Sequence, residues 1–375
     1  MGTTFVERVC FFMAGQPKYL LVADTLRKEI ARGVFRDGQT LMTEEELRVR
    51  FDVSRQTVRQ AIALLEDDGL VDRRRGSGTY VRHGPRRRQG MIQIGVVATF
   101  ITDYIFPSIL QGIEGALNKA GAVMNLSATY NDSRTERDIL ERMLEGHVDG
   151  LIFEGTRTAK ETPNADLFQR FAERNIPVLF INGYYPGMDR FPYLLMDDYG
   201  GGKMAAAVAL DYGYRRPAGI FKTDDLQGAE RLEGFMDEIR TRGISVPKDH
   251  LLCFGTDERL TLFNTPAGQA FIRMLKAKEA DCVICYNDVF AATLMDRLMQ
   301  QGVRLPEDMG FIGFDNAAFS GVIRPTLTTL GHPKEEFGAL AAEKILRMIG
   351  GEREKSVHMP WNLIERESLP RVNGK

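Results

Sequence analysis

The sequence predicts two folded units: an N-terminal winged helix-turn-helix, and a two-lobed α/β domain made of two Rossmann-like parallel-sheet lobes. Near the N-terminus, three helical segments precede a short hairpin, whereas after Met91 short apolar strands alternate with amphipathic helices. Such alternation is typical of parallel sheets with crossover helices. Nine candidate strands are more than one small sheet needs, and 375 residues are too many for one ordinary domain.

Composition and charge divide the chain into four expected segments. These are an extension (residues 1–16), the winged helix (17–82), a basic linker (83–90) and the two-lobed domain (91–370). The first 90 residues hold 17 Lys and Arg against 12 Asp and Glu, whereas the remainder holds 32 against 39. A basic head on an acidic body predicts that only the head meets a polyanion.

The elements of the head follow from apolar spacing and capping residues. Helices are expected over residues 18–33, 43–51 and 54–67, with Thr43 and Ser54 as N-caps. Two alternating runs, residues 70–74 and 79–82, flank a Gly-rich turn and are expected to pair as a hairpin.

The third helix carries the pattern that indicates DNA binding. Arg55, Gln56 and Arg59 project together near its N-terminus, where a recognition helix meets base edges. The alternative is an ordinary amphipathic helix with a solvated basic face, and the three-helix context favours DNA binding. The hairpin tip, with Arg75 and exposed N–H groups, suits phosphate or minor-groove contact. On the opposite side of this helix, apolar residues recur at i, i+3, i+4 and i+7, and we expect them in the core. They are Val58, Ala61, Ile62 and Leu65.

The strands of the two-lobed domain predict where a ligand binds. They are IQIGVVA, AVMNLSA, DGLIFEG, IPVLFING, YLLMDD, PAGIFK, LLCFG, CVICYND and MGFIGFD. In open α/β folds, ligands bind beyond the carboxyl ends of the strands. Carboxylates and amides there suit sugar hydroxyls, and aromatic rings suit a sugar's C–H face, although each polar residue is also a possible helix cap. The candidates are Asp103, Tyr104, Phe106, Tyr130, Asn131, Glu154, Asn182, Lys222, Arg231, Asn287, Asp315 and His332.

Other motifs argue against catalysis and metal binding. Cys282 and Cys285 lie in an apolar strand, where residues three apart point to opposite faces, so we interpret them as core cysteines. The run Gly200-Gly-Gly fits no phosphate loop and is expected to let a helix begin close to a neighbouring segment. HExxH and GxSxG motifs are absent, so we expect neither an enzyme nor a cofactor.

No apolar run approaches the roughly 20 residues that a membrane span needs. Charged Glu7 and Arg8 interrupt the apolar N-terminal segment, which makes it a poor signal peptide. We therefore expect a cytoplasmic protein that has no membrane partner.

Residues 17–82 resemble a GntR-type winged helix. The resemblance rests on Glu44-Glu-Glu-Leu, Val53-Ser-Arg-Gln-Thr-Val-Arg, Leu64-Leu-Glu-Asp-Asp-Gly-Leu and Gly76-Ser-Gly-Thr-Tyr-Val. It implies a dimer on a pseudo-palindromic operator. The helix dipole alone explains an acidic residue at position 44 equally well. The implied DNA contacts are Lys18, Glu44, Arg55, Gln56, Arg59, Arg75 and Gly76.

Residues 91–370 resemble the effector domain of LacI/GalR-type regulators, which is related to periplasmic sugar-binding proteins. The motifs are Ile94-Gly-Val-Val, Gln111-Gly-Ile-Glu, Arg231-Leu-Glu-Gly-Phe, Cys285-Tyr-Asn-Asp and Gly313-Phe-Asp-Asn. This chain lacks that family's own helix-turn-helix and hinge helix, so signalling through an ordered hinge is not carried over. The implied sugar contacts are Tyr104, Phe106, Arg231, Asn287, Asp288 and Asp315.

The combination of this head with this body resembles the L-arabinose-responsive repressors of Gram-positive bacteria. Its marks are Asp103-Tyr-Ile-Phe-Pro, Ile220-Phe-Lys-Thr-Asp-Asp-Leu-Gln-Gly and Gly331-His-Pro-Lys. The resemblance implies a homodimeric repressor of sugar-utilisation genes that L-arabinose releases from double-stranded operator DNA. Three alternatives remain: a repressor that answers another pentose, a hexose or a purine; a sugar transport receptor; and a sugar-modifying enzyme with a DNA-binding head.

Overall fold

The computed structural model describes residues 17–36, 38–74, 77–81, 91–102, 105–160 and 162–372. Two compact units are present: one contains the N-terminal head, and the other contains most of the chain after Met91. The expected extension (residues 1–16) and linker (residues 83–90) lie outside the described residues.

The head is a winged helix-turn-helix, as predicted. Thr43 and Glu46 form a capping box at the start of the second helix, and the Ser54 side chain accepts a hydrogen bond from Thr57 N at the start of the third. Between these two helices, Asp52 takes a left-handed conformation (φ 47°) that turns the chain. The helices are α1 (Lys18–Ala31), α2 (Glu44–Phe51) and α3 (Arg55–Asp67), followed by the antiparallel strands β1 (Val71–Arg74) and β2 (Gly78–Val81).

The predicted apolar face of α3 forms the centre of the head's core. Val58, Ala61 and Leu65 are fully buried and Ile62 is 1% exposed. They pack in one cluster with side chains of α1 and α2, such as Leu26 and Leu47. The opposite face of α3 is therefore left at the surface.

The N-lobe of the second unit is a six-stranded parallel sheet in the order β13-β7-β6-β5-β3-β4, in which β13 (Val357–Met359) comes from near the end of the chain. Its elements are β3 (Ile92–Ala98), α4 (Phe106–Lys119), β4 (Ala122–Ala128), α5 (Ser133–Glu145), β5 (Gly150–Phe153), α6 (Ala165–Glu173), β6 (Val178–Ile181) and β7 (Tyr193–Met196).

The C-lobe sheet has the order β14-β12-β11-β10-β8-β9 and is parallel except for β14. Its elements are α7 (Asp198–Asp211), β8 (Pro217–Lys222), α8 (Leu226–Thr241), β9 (Leu251–Phe254), α9 (Pro266–Lys276), β10 (Cys282–Cys285), α10 (Asp288–Gln300), β11 (Gly310–Phe314) and β12 (Thr328–Gly331). The last elements of the chain are α11 (Lys334–Ile349), β13 (Val357–Met359) and β14 (Asn362–Ile364).

The chain crosses between the lobes three times. It leaves the N-lobe after β7, returns after β12, and crosses again at Trp361 between β13 and β14. The helix after the second crossing packs on the N-lobe, because a Cβ on Gly338 would lie 2.0 Å from the Ile109 carbonyl of α4. The first and third crossings are joined by the hydrogen bond from Asp197 N to Met359 O (2.8 Å), and His332 of the second packs against Trp361 of the third.

The Gly200-Gly-Gly run acts as predicted. A Cβ on Gly202 of α7 would lie 2.1 Å from the backbone carbonyl oxygen of Arg231 on α8. Only glycine permits the two helices to approach so closely, and this approach fixes the position of Arg231.

Two further sequence expectations concern the buried strand and the membrane. Cys282 and Cys285 are both free thiols that are fully buried in β10, as expected for core cysteines. Over the described part of the chain, none of the helices combines the length and apolar character of a membrane span.

Candidate functional site

The exposed face of α3 carries the side chains that the sequence assigned to DNA contact. Arg55, Gln56 and Arg59 are exposed, and Lys18 is exposed at the first position of α1. The Glu44 carboxylate accepts hydrogen bonds from Arg55 Nε and Arg59 Nε, both at 3.1 Å. Partial burial raises the pKa of Glu44, but these two bonds outweigh it, so the net shift is downward. Glu44 therefore aligns both guanidinium groups beside the helix N-terminus.

The hairpin carries two further cations, of which Arg73 contacts α3. Arg73 Nη2 lies 3.4 Å from the Arg59 carbonyl oxygen, and the Arg74 guanidinium stacks 4.5 Å from the Tyr80 ring centre. Neither residue was predicted from the sequence, although both belong to a run of three arginines. The expected contacts Arg75 and Gly76 lie outside the described residues.

A cavity of about 350 Å³ lies between the two lobes of the second unit. The sequence-predicted residues that line it are Phe106, Asn131, Glu154, Asn182, Lys222, Arg231, Asn287 and Asp315. Tyr130 lies beside the cavity, 69% exposed, with its ring 6.5 Å from that of Phe100. Asp103 and Tyr104 lie outside the described residues.

Arg231 is the central cation of the cavity. Its side chain is 4% exposed, its Nε donates to Asp198 Oδ1 at 2.8 Å, and its Nη2 lies 3.8 Å from Asp315 Oδ1. The guanidinium also lies over the rings of Phe314 (4.4 Å) and Trp361 (4.9 Å). Because Asp198 and Trp361 lie on crossing segments, Arg231 links the cavity to the place where the lobes join.

Glu154 is the buried carboxyl group on the N-lobe side. Its Oε2 accepts hydrogen bonds from Thr99 N (2.6 Å) and Thr99 Oγ1 (2.7 Å), and its Oε1 accepts one from Asn182 Nδ2 (3.2 Å). Burial raises its pKa to about 7, against the opposing effect of these bonds and of Lys222. The carboxyl group can therefore donate or accept a hydrogen bond near neutral pH.

Lys222 faces Glu154 from the C-lobe and is held by two carboxylates. Its Nζ donates to Asp225 Oδ2 at 2.8 Å and lies 3.1 Å from Asp224 Oδ1. Burial lowers the pKa of Lys222, but the two carboxylates outweigh burial and raise it overall. Tyr286 Oη also donates to Asp225 Oδ2, at 2.8 Å, so one carboxylate orders the cation and the phenol together.

Besides Tyr130, two expected site residues do not line the cavity: Asp288, which the resemblance implied, and His332, which was among the strand-end candidates. The Asp288 carboxylate is fully buried and accepts hydrogen bonds from Ala317 N, Ser320 Oγ and Thr329 Oγ1, all within the C-lobe. It anchors the loop that follows β11. His332 packs edge-on against the rings of Phe337 and Trp361, and burial lowers its pKa to about 3.

Several lining residues were not predicted from the sequence. Asp225 belongs to the run Ile220-Phe-Lys-Thr-Asp-Asp-Leu-Gln-Gly quoted above, in which only Lys222 was predicted to contact the ligand. Arg259, Leu260 and Phe263 come from the loop after β9, for which no polar strand-end residue had been singled out. The others that bear on the site's chemistry are Thr99, Phe100, Gln227, Tyr286, Val289, Phe290 and Arg297.

Direct contacts tie the two lobes together across the cavity, opposite the crossings. The Arg157 guanidinium, after β5, makes a two-point ion pair with Asp257, after β9, at 2.6 and 3.1 Å. Asn131 Nδ2 donates to Thr256 Oγ1, and the Arg259 guanidinium lies 4.1 Å from the Phe100 ring centre. The lobes are therefore closed on one another in this structure.

The donor set fits a neutral, hydroxyl-bearing ligand. Carboxylates, amides and cations converge on the cavity beside aromatic rings, the combination that satisfies both hydroxyl groups and a ring face. Among the residues that the structure describes, no group of three or more His, Cys, Asp or Glu side chains is arranged to hold a metal ion.

Comparison with known proteins matches both units of the chain. Residues 18–81 match the model for "Bacterial regulatory proteins, gntR family", and residues 209–369 match that for "Periplasmic binding protein-like domain". A crystal structure of a periplasmic binding protein/LacI transcriptional regulator from Alkaliphilus metalliredigens, complexed with D-xylulofuranose, is 25% identical. The match covers 74% of this chain and 98% of the crystallised chain, with a TM-score of 0.64.

Two relatives extend over nearly the whole chain. The arabinose metabolism transcriptional repressor of Geobacillus stearothermophilus is 36% identical over 94% of this chain and 96% of its own length. A protein of the same name from Halalkalibacterium halodurans is 33% identical over 90% and 91%.

Proposed function

The chain belongs to the family of arabinose metabolism transcriptional repressors, and from that premise we propose that L-arabinose is the sugar that releases it from its operator. The family, the gntR-type head and the sugar-binding fold make the chain a sugar-responsive transcriptional repressor. The observation that supports the effector is the cavity between the closed lobes, in which Glu154, Arg231 and Asp315 converge. L-arabinose offers the hydroxyls that such groups bind.

Sugar binding releases DNA because the sugar binds more tightly to the subunit arrangement that does not fit the operator than to the one that does. A homodimer of the two-lobed units holds two heads at the spacing of two half-sites. L-arabinose binds between the lobes and favours a subunit arrangement in which the heads no longer match the operator. The coupling needed is about 1–3 kcal/mol, which corresponds to roughly 5–150-fold in affinity.

The remaining properties follow from this role. The protein acts in the cytoplasm, where operator DNA is, and performs no catalysis. Its small-molecule partner is the effector sugar, and it needs no other cofactor.

The DNA-binding half of the proposal is tested by selecting operator sequences from a random duplex library with the purified protein. Arg59→Ala is expected to weaken binding to the selected operator by about 1–3 kcal/mol, because a bidentate contact with a base is worth that much. Arg240→Ala, a 75%-exposed ion-paired arginine of α8, is the matched control and is expected to bind normally. Equal losses in both variants would contradict the assignment of α3.

The effector half is tested by calorimetric titration with L-arabinose, with D-xylose, D-galactose and D-ribose as controls. Saturable heat with L-arabinose alone, together with its release of the selected operator, is the expected result. Heat and operator release with another of the sugars would leave the repressor function standing and identify that sugar, instead of L-arabinose, as the effector. Silence from all four sugars would overturn the proposed pocket.

A further inference from the structure

The cavity is larger than one pentose requires. An apolar cavity of about 150 Å³ is enough to hold a benzene ring, and a pentopyranose is one six-membered ring with small polar substituents. A pentopyranose has ten non-hydrogen atoms against the six of benzene and by this measure needs roughly 250 Å³, so the cavity between the lobes, at about 350 Å³, leaves space beside one such ring.

The lining divides into two compartments of different chemistry. The inner compartment consists of Glu154, Asn182, Lys222, Arg231 and Asp315, all buried. It adjoins the crossings, since Arg231 contacts both Asp198 and Trp361. These charged and amide groups provide the donors and acceptors that the hydroxyls of a single sugar need.

The outer compartment consists of Phe100, Leu260, Phe263, Val289 and Arg297. Leu260 is 85% exposed and Val289 38% exposed, so this end of the cavity opens to solvent. The Arg297 guanidinium lies 5.6 Å from the Phe263 ring centre and donates to Asn264 Oδ1 at 2.9 Å. Exposed apolar side chains and aromatic rings that continue from a polar pocket are typical of a surface that a ligand covers.

We propose that the site also accepts a pentose glycoside, with the pentose in the inner compartment and a second ring in the outer one. The inference rests on the proposed function, because it assigns the inner compartment to the pentose. A second sugar ring or an aromatic aglycone would place its apolar face on Leu260, Val289 and Phe263.

The test is calorimetric titration of the full-length protein with three probes that share the pyranose ring: L-arabinose, α-L-arabinopyranosyl-(1→6)-D-glucose and 4-nitrophenyl α-L-arabinopyranoside. The two glycosides distinguish a sugar from an aromatic second ring. Val289→Trp fills the outer compartment and is expected to weaken the binding of at least one glycoside tenfold more than that of L-arabinose. Val322→Trp, at a 70%-exposed position that does not line the cavity, is the control and should change no affinity.

A second variant tests the outer compartment independently, in case Val289→Trp does not fold. Leu260→Asp places a carboxylate at an 85%-exposed position, where it disturbs no packing, and it should weaken the same glycoside selectively. If L-arabinose binds and neither glycoside does, or if both variants weaken all three probes equally, the outer compartment is not a binding site. Binding of a glycoside without binding of L-arabinose would instead overturn the effector proposed above and leave the second-ring site standing.

Discussion

Glu154 is a carboxyl group inside the cavity whose pKa is higher than usual. Burial raises its pKa from 4.5 to about 7, although Thr99 and Asn182 donate hydrogen bonds that favour the charged form. Between these two values the folded protein keeps a proton that the unfolded chain has lost. Its contribution to stability is therefore complete below pH 4.5 and is lost as the pH rises through 7.

Replacing Glu154 with glutamine removes this titration. Wild type is expected to lose up to about 3 kcal/mol of unfolding free energy relative to Glu154→Gln between pH 4.5 and 7.5, since each pKa unit is worth about 1.4 kcal/mol. Urea denaturation across this range measures the difference. Glu114→Gln, at an exposed carboxyl of α4, should follow wild type. Parallel pH profiles for wild type and Glu154→Gln would show that Glu154 is ionised throughout.

Single residues also show why the site could be predicted only in part. Asn131 and Glu154 follow strands, and Arg231 lies in the second turn of the helix after β8. Sheet topology alone brings such positions to one edge. Asp288 occupies an equivalent position, but its carboxylate accepts three hydrogen bonds from its own lobe and does not line the cavity. Which carboxylate faces the ligand depends on packing between distant segments, and no local pattern encodes that.

At the scale of elements, all nine strands predicted for the two-lobed domain are present, because buried parallel strands are continuous apolar runs. The three strands that were not predicted are β12, β13 and β14, which have three or four residues each. They flank the last two crossings. Sequences this short and mixed carry no periodicity, so pairing with long-range neighbours decides their conformation.

The close packing of α7 on α8 makes a further prediction. Gly202→Ala would place its Cβ 2.1 Å from the Arg231 carbonyl oxygen, so α8 must shift. We expect a loss of about 1–3 kcal/mol in unfolding free energy and weaker effector binding, because Arg231 moves with the helix.

Gly115→Ala on α4 is the matched control, since a Cβ there meets no atom within 4 Å. It should leave effector affinity unchanged and stabilise the protein by up to about 1 kcal/mol, as alanine is the better helix former. Thermal denaturation and calorimetry measure both effects. An unchanged affinity in Gly202→Ala would mean that the helix contact does not position Arg231.

At the scale of the molecule, the ion pair between Arg157 and Asp257 joins the lobes opposite the crossings. Arg157→Ala is expected to weaken L-arabinose binding by up to about fivefold, since an exposed pair is worth up to about 1 kcal/mol and this one favours the closed lobes.

The pair of Arg137 with Asp166 provides the control. It has the same two-point geometry, at 3.1 and 2.9 Å, but both partners belong to the N-lobe. Arg137→Ala should therefore leave the dissociation constant for L-arabinose unchanged in the same calorimetric titration. Equal effects in the two variants would show that the contribution of Arg157 is unrelated to lobe closure.

The chain contains a single tryptophan, Trp361, and it lies where the chain last crosses between the lobes. Its indole is 4% exposed, packs beneath the Arg231 guanidinium, and meets the Phe314 ring edge-on at 5.2 Å. Tryptophan fluorescence of the unlabelled protein, excited at a wavelength that the tyrosines do not absorb, therefore originates from one known place. A change in this emission on mixing with sugar would time the movement of this crossing directly, with no dye and no second tryptophan to subtract.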